Sequence, residues 1–347
     1  MGWESIVGQD AAVAALRGDL ASGQVAHAYV FYGPEGVGKA RAARLLAQAL
    51  QCGGEDPPCG GCLPCQKVER GIHPDVIVVQ PEIDKNTGKP RRTIGVDPIR
   101  DQIVYRANQR PHEGQKKVFI IDDAPPVTVP AFNALLKTLE EPPPDTVLVI
   151  VTSNLMSLPA TVLSRCRRLR FRPLGRADQR AILAALRGGG EEELDRLVSL
   201  SLGRLGVALG EKADALAGLR EAALEFLEGL AAPRDRADEA ALLALAASRA
   251  GRGASSREEV LRFLGMLRGL LRDILVLEVA PGEVEPWNAD RADALSALGR
   301  RWGERGLAEA LDEVESALHD VGVVNTNPAL TLEALVFALR ATASAGA

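Results

Sequence analysis

The stretch Gly33-Pro34-Glu35-Gly36-Val37-Gly38-Lys39-Ala40 constrains this chain more than any other. The apolar run Ala28-Tyr29-Val30-Phe31-Tyr32 precedes it, and residues 42–50 behind it have the composition of a helix. Strand, glycine-rich loop and helix, in that order, form the context of a phosphate-binding P-loop. Glycines let successive backbone N–H groups turn toward phosphates, and the helix N-terminus adds partial positive charge. Lys39 stands where the β- and γ-phosphates of a nucleotide would lie. The last position departs from the pattern: a Ser or Thr should follow the lysine and ligate Mg²⁺, and here it is Ala40. A methyl group offers no oxygen to a metal. The alternative is a plain glycine turn joining a strand to a helix, with no ligand.

A second apolar run, Val118-Phe119-Ile120-Ile121, ends at Asp122-Asp123. A carboxylate at a strand end, downstream of a P-loop, is placed to hold Mg²⁺, often through water. ATPases of this kind usually follow that Asp with a Glu that polarises the attacking water. Asp123 is one methylene shorter. Ala40 and Asp123 therefore imply the same thing, a site at which nucleotide hydrolysis is poor.

Four of the five cysteines are crowded together: Cys52, Cys59, Cys62 and Cys65. In an intracellular chain such clustering favours metal over disulfides. Four thiolates satisfy tetrahedral Zn²⁺ and leave no open coordination position, so the implied site is structural. Cys166 lies apart, as a small buried residue would.

The remaining pattern predicts an α/β fold followed by helices. Residues 4–20 have helical spacing, with Val13, Leu16 and Leu20 on one face. Asp75–Val79, Val147–Val151 and Leu169–Phe171 read as further strands, and 80–95 as a polar surface loop. Asp97 is placed to cap a helix running to Asn108, with Pro98 at its first position. Phe132, Leu135, Leu136 and Leu139 repeat at i, i+3, i+4, i+7 until Pro142-Pro143-Pro144 stops the helix. Apolar strands alternating with helices argue for a parallel sheet covered on both faces. After Pro173 only helical periodicity is found, with one strong amphipathic helix marked by Leu261, Leu264, Leu267, Leu270 and Leu271.

The net charge of −5 over 347 residues argues against a stand-alone nucleic-acid binder. No apolar run has the length of a membrane span, and the N-terminal residues carry no secretory pattern, so a cytoplasmic protein is expected. Arg165, Arg167, Arg168, Arg170 and Arg172 form either a solvated face or a DNA-facing patch, and spacing alone does not choose. Glu140 and Glu141 fall in the last turn of their helix, where the macrodipole disfavours negative charge. Solvation would make that inexpensive; contact with a partner is the alternative.

Taken together, Ile6-Val7-Gly8-Gln9, His27-Ala28-Tyr29-Val30-Phe31, the cysteine module, Asn133–Pro143 and Leu163-Ser164-Arg165-Cys166 resemble the AAA+ clamp-loader subunits of bacterial DNA polymerase III. Asn325-Thr326-Asn327-Pro328 before an apolar helix resembles their collar domain. The resemblance implies an AAA+ domain with a parallel sheet and an inserted zinc module over 1–173, a helical lid over 174–212 and an all-α collar over 213–347. Within the family, His73-Pro74-Asp75, the segment Ile94–Arg100, Ala40 and Asp123 look like delta prime. So does Gly206, which falls where the motor subunit (tau/gamma) carries a sensor arginine. Resemblance to delta prime implies a stator in a ring that loads the sliding clamp onto primed DNA. Its partners would be the motor and delta subunits, with no membrane involved. Gly33, Gly36, Gly38, Lys39, Ala40, Asp122 and Asp123 would form a nucleotide site, intact or degenerate, for ATP/Mg²⁺ with weak or no hydrolysis. Arg165 would be an arginine finger acting in trans, and the chain would not be an autonomous enzyme. The alternatives are an ATP-hydrolysing tau/gamma-type motor and an independent zinc-dependent DNA-binding protein.

Overall fold

Four short runs of mostly apolar or β-branched residues and one arginine-rich run become one parallel sheet in the structure, a computed structural model that describes all residues except 1, 84–92, 123–126, 233–241, 245–254, 325 and 346–347. The strands are β1 (Ala28–Tyr32), β2 (Val76–Val78), β3 (Lys117–Asp122), β4 (Thr146–Thr152) and β5 (Arg167–Arg170), in the order β2-β3-β4-β1-β5. The central register pairs Ala28 with Leu148 and Tyr32 with Thr152, while Asp122 pairs with Val151. Side chains alternate across a strand. Tyr29 and Phe31 accordingly join one apolar layer with Leu16, Leu45 and Leu46, and Ala28 and Val30 join the other with Ile99, Phe132 and Leu135. Burial on both faces is why β1 and β4 read as unbroken apolar runs rather than alternating ones.

Helix α1 (Asp10–Ser22), α2 (Lys39–Gln51), α3 (Leu63–Glu69) and α4 (Val129–Glu140) cover this sheet, together with a segment of α and π turns over 96–107. Three boundaries differ from the sequence expectation. Residues 4–20 do not form one helix, because a 3₁₀ turn at Trp3–Ser5 is separated from α1 by a link in which Gly8 has φ 73°. Gly95, not Asp97, occupies the N-cap of the helical segment, and Asp97 lies in its first turn with no side-chain cap bond at that N-cap. The last strand starts at Arg167 rather than Leu169. It is a sheet edge on which Leu169 is buried and three arginines are exposed, a charge pattern that discourages pairing with another chain.

Residues 1–178 form one compact unit and 179–347 a second. The second unit is helical, and its leucines gather into two clusters. One holds Leu183, Leu194, Leu197, Leu200 and Leu216. The other holds Leu227, Phe263, Trp302 and Leu339, with Leu264, Leu267, Leu270 and Leu271 from a single helix, Ser255–Val279. Asn327 caps the helix Pro328–Ala345 by accepting from the Ala329 N–H at 3.0 Å; Asn325 of the same motif lies outside the described residues. No helix among the described residues is long and apolar enough to cross a membrane.

The strand expected at Asp75–Val79 contributes only Val76–Val78, because Asp75 has other work. It is 1 % exposed, and its carboxylate accepts from the backbone N–H groups of His112, Glu113 and Gly114 at 2.7, 2.9 and 2.8 Å. His73 Nδ1 accepts from the Asp75 N–H at 3.1 Å, a local bond within the His73-Pro74-Asp75 motif. Burial by itself would raise the Asp75 pKa, but the three N–H donors outweigh it and hold the carboxyl below its usual range. A carboxyl depressed in the folded state adds stability above its unfolded pKa, and that stability is lost as pH falls through the folded value. Asp75→Ala should cost the α/β unit about 2–3 kcal/mol in denaturant unfolding. The same variant should lose less stability than the parent on acidification below about pH 4.

Candidate nucleotide and metal sites

The carboxyl end of β1 delivers the glycine-rich loop. Gly33, Gly36 and Gly38 have φ of 146°, 74° and 96°, conformations that side chains with a Cβ disfavour. At Gly33 a Cβ would also sit 2.1 Å from the Phe171 carbonyl oxygen, so the loop can close against the residue that follows β5 only with glycine there. Gly38 is the N-cap of α2, and Lys39 and Ala40 open that helix. Lys39 is 7 % exposed, and its Nζ donates to the carbonyls of Gly33 and Pro34 at 2.7 and 2.6 Å. The ammonium is thus already drawn inside the curl of its own loop, where a phosphate oxygen can exchange for a carbonyl oxygen. Glycine dihedrals, helix N-terminus and enclosed lysine suit a phosphate group. Ala40 contributes no oxygen beside them.

Gln9 ties this corner together, a role that its place in the sequence does not reveal. Its buried amide bonds both ways to Arg172, accepting from the N–H at 2.9 Å and donating to the carbonyl at 2.7 Å. A longer contact of 3.4 Å reaches the Val37 carbonyl inside the loop. A single side chain therefore joins the residue beyond β5 to the loop after β1. Thr152, at the end of β4, accepts at its carbonyl from the Gly33 N–H at 3.3 Å, and its Oγ1 accepts from the Asn154 N–H at 3.1 Å. Asp122 ends β3, on the far side of β4 from the loop, at the same edge of the sheet. Asp123 lies outside the described residues.

Arg165 follows the short helix Ala160–Leu163. Its Nη2 donates to Glu140 Oε1 at 2.7 Å, and its Nη1 donates to the Thr161 carbonyl at 2.7 Å and to Ser164 Oγ at 3.2 Å. Glu140, the acid at the unfavourable end of α4, thereby finds a cation within the same unit. Arg167 is tied to Asp19, which also accepts from the Tyr29 hydroxyl at 2.8 Å. Burial pushes the Tyr29 hydroxyl pKa upward, and the Asp19 carboxylate adds to it, so Tyr29 remains a donor. Two members of the arginine run are thus committed to carboxylates on α4 and α1. Cys166 is buried and packs in the apolar layer with Val162, and burial raises its thiol pKa to about 11.

The four clustered cysteines are brought together, with their sulfurs all within 4.8 Å of one another. Sulfurs around a tetrahedral ion with bonds of about 2.3 Å lie about 3.8 Å apart, so the set fits a metal ion. Cys52 closes α2 and Cys65 is carried by α3, while Cys59 and Cys62 come from the loop between. Backbone N–H groups of Gly54 and Cys59 point at Cys52 Sγ at 3.3 and 3.4 Å, and that of Cys62 points at Cys59 Sγ at 3.4 Å. Such donors stabilise thiolate. Those of Cys62 and then Gly61 bring the Cys59 thiol down to about 6, whereas burial pushes Cys65 up. Gln48, on the helix that begins at Lys39, donates to the Cys65 carbonyl at 3.1 Å, and the Trp3 indole donates to the Pro57 carbonyl at 3.0 Å. The module is fastened to the unit by those bonds.

Residues 8–175 match the family described as DNA polymerase III, delta subunit. The chain is 38 % identical over 172 residues to the DNA polymerase III subunit tau of Bacillus subtilis, covering 49 % of this chain. It is 31 % identical over 358 residues to the subunit gamma/tau of Mycobacterium tuberculosis, covering 94 % of this chain. The chain spans 29 % of the length of the Bacillus protein and 59 % of the Mycobacterium one. A gamma subunit-related protein from Thermotoga maritima is 19 % identical, with 94 % of this chain and 99 % of that chain covered at a TM-score of 0.43. The parallel sheet carries the loop, Asp122 and Thr152 at one edge, and the cysteine tetrad sits at the far end of α2.

Metal binding by the tetrad has a direct readout. Co²⁺ added to the reduced, metal-stripped chain should give the absorption of a tetrahedral thiolate site, at one ion per chain. Cys59→Ser with Cys62→Ser should abolish it while α2 and the sheet remain folded by circular dichroism.

Proposed function

We propose that this chain is the delta prime, or stator, subunit of a bacterial DNA polymerase III clamp loader. In that role it helps to load the sliding clamp onto primed DNA beside motor (tau/gamma) and delta subunits. The observation that carries the proposal is Ala40 at the start of α2, in a loop that otherwise keeps its glycines and its lysine. A site that cradles phosphate without a hydroxyl for Mg²⁺ suits binding better than turnover. Asp123 in place of Glu, and Gly206 where a motor subunit has an arginine, support the same conclusion. On this proposal the chain is not an autonomous enzyme. The tetrad of Cys52, Cys59, Cys62 and Cys65 holds structural Zn²⁺, and residues 1–173, 174–212 and 213–347 serve as AAA+ domain, lid and collar.

Arg165 then acts in trans as an arginine finger. A guanidinium stabilises the charge that develops on the γ-phosphoryl oxygens of ATP bound by a neighbouring subunit. Arg165 lies at the end of the short helix that follows β4, and its side chain is 34 % exposed. A chain with an impaired site of its own would thus still matter to hydrolysis next door.

The second proposal is an ATP-hydrolysing tau/gamma-type motor. It is favoured by the enclosed Lys39 and by the tau and gamma/tau names of the relatives above. Purified single chain separates the two. The stator should show no turnover of ATP with Mg²⁺; a rate near about 10 per second would establish the motor instead. In the assembled complex, Arg165→Ala should leave assembly intact and reduce DNA-stimulated ATPase by about 10³-fold at the site it serves. Unchanged hydrolysis there would remove the trans assignment.

A further inference from the structure

Glu140 and Arg165 are twenty-five positions apart in the chain, and their ion pair is the point at which α4 meets the segment after β4. A guanidinium presents five N–H donors in a fixed plane. Here Nη1 bonds to the Thr161 carbonyl and Ser164 Oγ, and Nη2 bonds to Glu140 Oε1. Two elements thus hold the head group, while Nε and a second Nη2 hydrogen keep no bond among the described residues. The partners are unequal in kind. Thr161 and Ser164 belong to the turn that bears the arginine and travel with it, whereas Glu140 is an outside anchor on a helix packed into the sheet.

Glu140 also stands where a helix tolerates a carboxylate least, in the last turn of α4. Its neighbour Glu141 forms no ion pair among the described residues, so the pairing singles out one of two adjacent acids. An arginine side chain left free loses rotamer entropy when it docks on an anion; one already held loses less. We infer that Glu140 is a positioning residue, which fixes the Arg165 guanidinium so that its open N–H groups meet the terminal phosphate of a nucleoside triphosphate on a neighbouring subunit. This rests on the trans assignment of Arg165.

The test is DNA-stimulated ATPase of the assembled complex carrying Arg165→Ala, Glu140→Ala, Glu140→Gln or Arg165→Ala with Glu140→Ala. Glu140→Ala should lower kcat about tenfold with KM for ATP unchanged, as expected for an interaction felt in the transition state. Glu140→Gln keeps an acceptor oxygen in place and should restore most of that loss. In the double variant, Glu140→Ala should add nothing to Arg165→Ala. A Glu140→Ala complex as active as the parent, alongside an impaired Arg165→Ala complex, would reduce the contact to a surface ion pair and overturn the inference alone. Faster hydrolysis in Glu140→Ala would overturn it in the other direction, making the carboxylate a restraint. Normal activity in Arg165→Ala would remove the trans assignment and the inference with it.

Discussion

A strand with both faces buried cannot shift along its neighbours without exposing one apolar layer and crowding the other, and β1 is such a strand. Tyr29 and Phe31 fill one side of the sheet and Ala28 and Val30 the other, with β4 and β5 paired on either hand. Register is therefore strongly specified, and with it the height at which Tyr32 gives way to Gly33. The Gly33–Ala40 loop, the start of α2 and the cysteine module at the end of α2 all follow from where that strand stops. The parallel arrangement adds that β1, β3 and β4 end at the same edge, which places Gly33, Asp122 and Thr152 along one rim, where open α/β sheets bind ligands.

Buried polar groups fix what apolar packing leaves loose. Gln9 pins Arg172, just past β5, to the glycine-rich loop, Asp75 gathers three N–H groups of the turn before β3, and Asp19 joins Tyr29 to Arg167. Each of these side chains is buried, so breaking its bonds would strand polar atoms away from water. They specify geometry around the sheet in a way that a wholly apolar contact, indifferent to direction, would not.

The chemistry is divided between this rim and the opposite edge of the sheet, where β4 and β5 begin. The rim has a loop suited to phosphate but no hydroxyl for its metal, with the lysine folded onto the loop's own carbonyls. The opposite edge has an arginine with spare donors, held by a carboxylate on α4. An arrangement that binds on one side and offers a cation on the other suits a member of a ring better than a solitary catalyst. The proposed stator role gathers these features into one account.

The amino-acid sequence by itself determined the local elements: the apolar runs of β1, β3 and β4, the glycines and lysine of the loop, the cysteine spacing and the amphipathic helix Ser255–Val279. Each depends on neighbours in the chain or on periodicity, which a one-dimensional pattern can carry. The tertiary structure decided pairings between distant positions. Spacing left the arginine run open between a solvated face and a DNA patch; folding committed Arg165 to Glu140 and Arg167 to Asp19. Spacing made Asp75 the start of a strand and Asp97 a cap, whereas the folded chain turned Asp75 onto the 112–114 backbone and gave the cap to Gly95. The physical reason is common to these cases. A hydrogen bond or ion pair depends on where two groups meet in space, and the separation in sequence between Gln9 and Arg172, or Glu140 and Arg165, says nothing of that until the sheet has brought them together.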